Sequence, residues 1–179
     1  MIMKKLLASI LTVVAMFLAS NTLAYSVTEQ SPNFWAGQLG KELSKKMNDY
    51  IGGKFYGNFI YRGKVIKQLN DVFTMTRKTE IIGHNIYLLP GYRYEEAESQ
   101  GALIVDRSAH ILLAAIAVHV GTHLPQINVF VRDKSNLKYL PEIKKWAASQ
   151  PEYYKNYQLS IFNLSCTRQN IATCKIQQQ

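Results

Sequence analysis

The first 24 residues constrain this chain more than any other feature. Lys4 and Lys5 precede an apolar run from Leu6 to Ala19, and Asn21-Thr22-Leu23-Ala24 follows. A positive start, a short apolar middle and small residues at minus three (Thr22) and minus one (Ala24) make the pattern of a secretory signal peptide. The run is too short for the roughly 20 residues that a helix needs to cross a bilayer. Residues 1–24 therefore read as a cleaved leader, with the mature chain beginning at Tyr25. Taking 24 from 179 leaves 155 residues, room for one domain of ordinary size. The expectation is a single globular domain over 25–179, without a transmembrane segment, placed in the bacterial periplasm or secreted.

That address bears on the cysteines and the charge. Cys166 and Cys174 are the only two cysteines, and an even pair in an oxidising compartment reads as a disulfide. Closing so small a loop stabilises by about 2.5 kcal/mol if chain entropy dominates. The spacing is not the two-residue gap of a thiol oxidoreductase motif. The formal net charge of +9 falls to +7 once Lys4 and Lys5 leave with the leader. Exported and basic, the chain is expected to meet acidic envelope or secreted proteins, anionic glycans or lipid headgroups, and not nucleic acid; salt weakens any such attraction.

Hydropathy patterning outlines the elements. Ser31-Pro32 reads as a helix cap and first-turn proline. Trp35, Leu39, Leu43, Met47 and Ile51 then lay one apolar stripe along a helix that Gly52-Gly53 ends; Lys41, Lys45 and Lys46 take its solvated side. Residues 54–61 suggest a strand with a turn at Arg62-Gly63. Residues 64–78 mix helical spacing (Ile66, Leu69, Phe73) with strand formers. Gly83-His84-Asn85 marks a hairpin, Pro90-Gly91 punctuates it, and residues 92–100 read as an exposed polar loop. Beyond lie a strand at 102–105, a buried helix at 109–120, a strand at 127–131, a helix at 141–148 and a strand from 158 leading to the disulfide. With 47% apolar residues the chain suits a packed core. The fold class expected is α+β, with helices on a mostly antiparallel sheet; a compact three-layer α/β arrangement is the alternative.

No chemical constellation is complete. His119 and His123 have the spacing of a helical metal pair, but Val120 stands where a zinc peptidase needs its glutamate, so no metal is expected. Asp106, Ser108 and His110 offer the residue types of a hydrolase triad, yet they crowd into five positions; a helix cap is the simpler reading of Asp106 or Ser108. Gly52 to Gly57 resembles a phosphate loop until Asn58-Phe59 replaces its lysine and hydroxyl, and no cofactor is expected. Glu95, Glu96 and Glu98 sit on one loop rather than across a cleft. Tyr92, Arg93 and Tyr94 are the best binding candidates, because tyrosine and arginine favour interfaces.

The function expected is that of an exported, non-catalytic protein-binding factor: an inhibitor, an immunity-type protein or an accessory subunit of an envelope assembly. The alternative is a small secreted hydrolase using His84, His110, His119 or His123 as acid and base. Intact-mass measurement on protein recovered from the periplasm should give a chain starting at Tyr25; recovery with residues 1–24 still attached would remove the basis for the compartment.

Overall fold

Strand β6 (Glu96–Asp106) sends Ala102 and Ile104 to one side of a sheet and Leu103 and Val105 to the other, and all four are fully buried. A sheet dry on both faces needs cover on both, and the computed structural model, which describes residues 38–94, 96–119, 124–150 and 156–177, shows it. The proposed leader, the Ser31-Pro32 cap, Trp35, Glu95 and His123 lie outside the described residues.

One face carries α1 (Gln38–Ile51) and the short α2 (Val65–Asp71). Leu43, Met47 and Ile51 from α1 meet Val65 and Leu69 from α2 in a cluster that includes Leu103, Ala114, Ile116, Phe130 and Phe162. The other face carries α3 (Leu140–Ala148), whose Ile143, Trp146 and Ala147 pack with Ile104, Leu113, Ala115, Ile127 and Val129. As the pattern predicts, Lys144 and Lys145 point to solvent.

The eight-stranded sheet has the order β10-β9-β8-β7-β6-β5-β3, with β4 also pairing β5. Its strands are β3 (Met75–Thr76), β4 (Glu80–Gly83), β5 (Ile86–Arg93), β6, β7 (Ile111–Val118), β8 (Gln126–Val131), β9 (Gln158–Asn163) and β10 (Lys175–Ile176). All pairs are antiparallel except β8 with β9. The connection from β8 to β9 contains α3, as a parallel pair requires. The fold is α+β: the layering of the α/β alternative is present, but its parallel sheet is not.

The segment expected as a buried helix at 109–120 is β7. It runs between β6 and β8 and buries Ala114 and Ile116 on one face and Leu113, Ala115 and Ala117 on the other. A strand buried on both sides loses the polar–apolar alternation, so its run of apolar residues looks like that of a buried helix. Residues 64–78 hold both expected forms in turn, α2 and then β3.

Two arginine and tyrosine contacts fix α1 to the sheet. Arg132 donates from Nη2 to the carbonyls of Asp49 (3.0 Å) and Tyr50 (2.6 Å), satisfying acceptors that a helix end leaves bare. Gly52, at φ +78°, closes the helix beyond them. The Tyr50 hydroxyl donates to the Leu112 carbonyl at 2.8 Å; burial pushes its pKa upward, keeping the proton on the donor.

Pro90 and Gly91 do not end a strand; they lie inside β5, opposite Ala102 and Gly101. The Pro90 carbonyl accepts from Arg77 N at 3.1 Å, so its proline nitrogen faces the same outer neighbour. Lacking an N–H there, it breaks the edge into β3 and β4. The facing pair Gly91 and Gly101 makes a notch filled by Val72 and Phe73: a Cβ on Gly91 would stand 2.2 Å from Phe73 Cδ1 and 2.8 Å from the Val72 carbonyl. Gly91→Ala should cost about 1–3 kcal/mol of stability by overpacking, read from urea unfolding. Gly53→Ala, with nothing within 4 Å, should stay within about 0.5 kcal/mol; equal costs would show the notch is not tightly filled.

Candidate functional site

The described histidines do not all meet in one place. His110 and His119 flank the eight residues of β7, which at about 3.3 Å per residue separates them by roughly 30 Å. His119 stands at a strand end, not the helix end expected, and its N–H donates to the Glu98 carbonyl at 3.2 Å. His84 occupies the β4–β5 turn beside left-handed Asn85 (φ 57°). The pairing of Ile86 with Asp106 brings that turn to the same end of the sheet as the β6–β7 turn.

Asp106 shapes the β6–β7 turn and caps no helix. Its carboxylate accepts from His110 N at 2.8 Å and lies 2.8 Å from His110 Nδ1. Its carbonyl accepts from Ala109 N at 2.9 Å, with Ala109 at φ 57°. Ser108 contributes its carbonyl, which accepts from Lys46 Nζ at 2.5 Å. The His110 side chain is 70% exposed, so the pair stands in water rather than in the dry cleft that sharpens acid–base chemistry.

Tyr92 and Arg93 end β5, and Tyr94 begins the turn to β6. The expected polar loop at 92–100 is therefore mostly ladder, and Ser99 and Gln100 are buried. Tyr92 pairs with Met75 of β3, and the Arg77 guanidinium sits 5.5 Å from the Tyr92 ring centroid. Tyr94 is 63% exposed, Met75 39% and Ile81, on neighbouring β4, 56%. All three are among the five most exposed large apolar side chains of the described residues, but only Met75 and Tyr94 lie together; Ile81 pairs with Tyr87, five residues along β5 from Tyr92 and on the opposite face. Sequence reasoning finds Tyr92 and Tyr94 but not Met75, which joins them only through strand pairing.

A second surface, at the opposite edge, has no motif to announce it. Strands β1 (Tyr56–Asn58) and β2 (Arg62–Lys64) form a small hairpin, whose turn is at 59–61 rather than at Arg62-Gly63. Gln68 of α2, fully buried, holds that turn: its Oε1 accepts from the N–H groups of Phe59 (3.0 Å), Ile60 (3.0 Å) and Tyr61 (3.4 Å), while Nε2 donates to the carbonyls of Gly57 and Gly63. The Tyr61 hydroxyl donates to Asp71 Oδ2; burial and then this bond raise its pKa to about 12. Phe59 packs edge-on against both Phe130 and Phe162, with ring centroids 5.3 and 5.5 Å away.

The disulfide loop forms the facing wall. Cys166 and Cys174 are bonded, with Cα atoms 5.8 Å apart. The loop tightens into a 3-10 turn (Ile171–Cys174) capped by the Asn170 carboxamide, which accepts from Ala172 N at 3.1 Å, before β10. Tyr56 N donates to the Gln169 carbonyl at 2.8 Å, joining the walls. Between them opens a groove of about 730 Å³, with Tyr56, Asn58, Arg62 and Gln169 on its rim and Phe59 and Ile171 among its apolar lining. Gly57 is required by the close approach, since a Cβ there would stand 2.8 Å from Phe59 and 2.9 Å from Ile171.

Gln68→Leu should destabilise by about 2–4 kcal/mol in thermal or urea unfolding, because it strips the partners from three inward backbone donors. A change below about 0.5 kcal/mol would mean the turn is held without it. No protein-family model, curated protein or solved structure shows significant similarity to the chain.

Proposed function

We propose that this chain is an exported, non-catalytic protein-binding factor of the bacterial envelope, such as an inhibitor, an immunity-type protein or an accessory subunit, and that it meets its partner through the β3–β5 edge of the sheet. The observation that carries the reading is the grouping of Met75 and Tyr94, both exposed, beside Tyr92 with Arg77 over its ring. Exposed apolar and aromatic side chains beside arginine are what interface centres are enriched in. The disulfide agrees with an oxidising compartment, and no helix among the described residues is long and apolar enough to cross a membrane.

The test is affinity capture from envelope extract with the exported protein and with a Met75→Glu/Tyr94→Ser double variant. A specific partner should be recovered by the first and reduced at least tenfold by the second, with the melting temperature unchanged. Recovery of no partner, together with ester or peptide hydrolysis that His110→Ala abolishes, would replace this reading with the hydrolase alternative.

A further inference from the structure

The groove between the β1–β2 hairpin and the disulfide loop has a charge pattern that the sequence order conceals. Its two walls come from segments about 100 residues apart in the chain. The hairpin (residues 56–64) contains Arg62 and Lys64, and the disulfide loop (166–174) contains Arg168; neither contains an aspartate or glutamate. The chain as a whole has 12 acidic residues, so folding has brought together two stretches free of them. Asp71, the last residue of α2, is engaged by the Tyr61 hydroxyl. Lys54 crosses from one wall to the other, donating to the Cys166 carbonyl at 2.9 Å.

We infer that this groove binds an acidic, extended peptide segment of a partner protein. The inference rests on the protein-binding reading above but concerns a different surface. Charge complementarity identifies the occupant: Arg62 in the lining, with Lys64 and Arg168 in the same hairpin and disulfide loop and no carboxylate in either, favours a negatively charged chain and raises its encounter rate. The lining suits a peptide. The carboxamides of Asn58 and Gln169 can pair with main-chain amides, Tyr56 (48% exposed) and Arg62 are anchor types of protein interfaces, and Phe59 and Ile171 offer an apolar floor. Both walls are also rigid before binding, one through the five hydrogen bonds of Gln68 and the other through the disulfide. A preformed groove saves the ordering entropy that would otherwise weaken an exposed polar contact.

The experiment uses a fluorescein-labelled decapeptide of alternating glutamate and leucine, followed by anisotropy, with the full exported protein. Wild-type protein should bind it, and binding should weaken several-fold between about 50 and 300 mM salt. Arg62→Glu should weaken it at least tenfold, and so should Tyr56→Ser, which leaves the charge alone. Lys144→Glu, the same charge reversal on the opposite face of the sheet, should weaken it less than twofold. Amide shifts on titration should centre on Tyr56, Asn58, Arg62 and Asn170. Equal weakening by Arg62→Glu and Lys144→Glu, or shifts centred elsewhere, would overturn the inference in favour of general charge attraction. A hexagalacturonate that displaces the peptide and binds more tightly would overturn it in favour of an acidic glycan. Failure of the peptide while affinity capture still recovers an edge-dependent partner would sink the groove alone; peptide binding with no captured partner would sink the edge alone.

Discussion

Everything in this structure depends on burying both faces of β6 and β7 at once. Leu103, Ala114 and Ile116 look toward α1 and α2, and Ile104, Leu113 and Ala115 look toward α3. Each fully buried aliphatic side chain contributes about 1.5–3 kcal/mol of transfer free energy. Only a layer on each side can collect that contribution from one strand. The alanines of β7 let the two layers lie close to the sheet, and the glycine notch at Gly91 and Gly101 does the same for Val72 and Phe73. The helix ends are then tied down by polar groups: Arg132 and the Tyr50 hydroxyl hold α1 where its stripe meets β7 and β8.

Much of this was legible in the residues. The stripe of Leu43, Met47 and Ile51, the His84-Asn85 turn, the helix around Ile143 and Trp146 and the Cys166–Cys174 bond are all local patterns, and each carries its own period or punctuation. The misread parts are those where tertiary context supplies the meaning. β7 lacks alternation because its second face is covered by α3, an element some 25 residues later in the chain. Pro90-Gly91 looks like a break because a central strand seldom tolerates proline; here its bare nitrogen faces an edge that is itself interrupted. Gln68, which no local pattern marks, is the buried brace of a turn.

The same distinction governs the candidate sites. Tyr92, Arg93 and Tyr94 stand adjacent in sequence and could be marked by residue type alone. Met75 joins them only once β3 is laid beside β5. The groove is less visible still, for its walls are separated by most of the domain and its chief electrostatic property is a shared absence of carboxylates. Residue types that would each look ordinary become informative when the fold sets them side by side.

Both edges of the sheet are guarded against adding another strand, which narrows how either surface can recognise anything. At one edge Pro90 splits the outer strand and Arg77 and Lys78, both exposed, occupy the gap. At the other, β10 is two residues long and is tethered to the disulfide loop. Short, charged or interrupted edges disfavour open-ended backbone pairing. Recognition at either place must therefore run through side chains: apolar and aromatic groups at the β3–β5 edge, cations and carboxamides around the groove. That division has a physical consequence. A partner at the first surface would be held by desolvation, nearly indifferent to salt, whereas one at the second would bind more weakly as ionic strength rises. A partner touching both would lose its groove contact first as salt increases, leaving an edge-bound complex whose affinity then levels off.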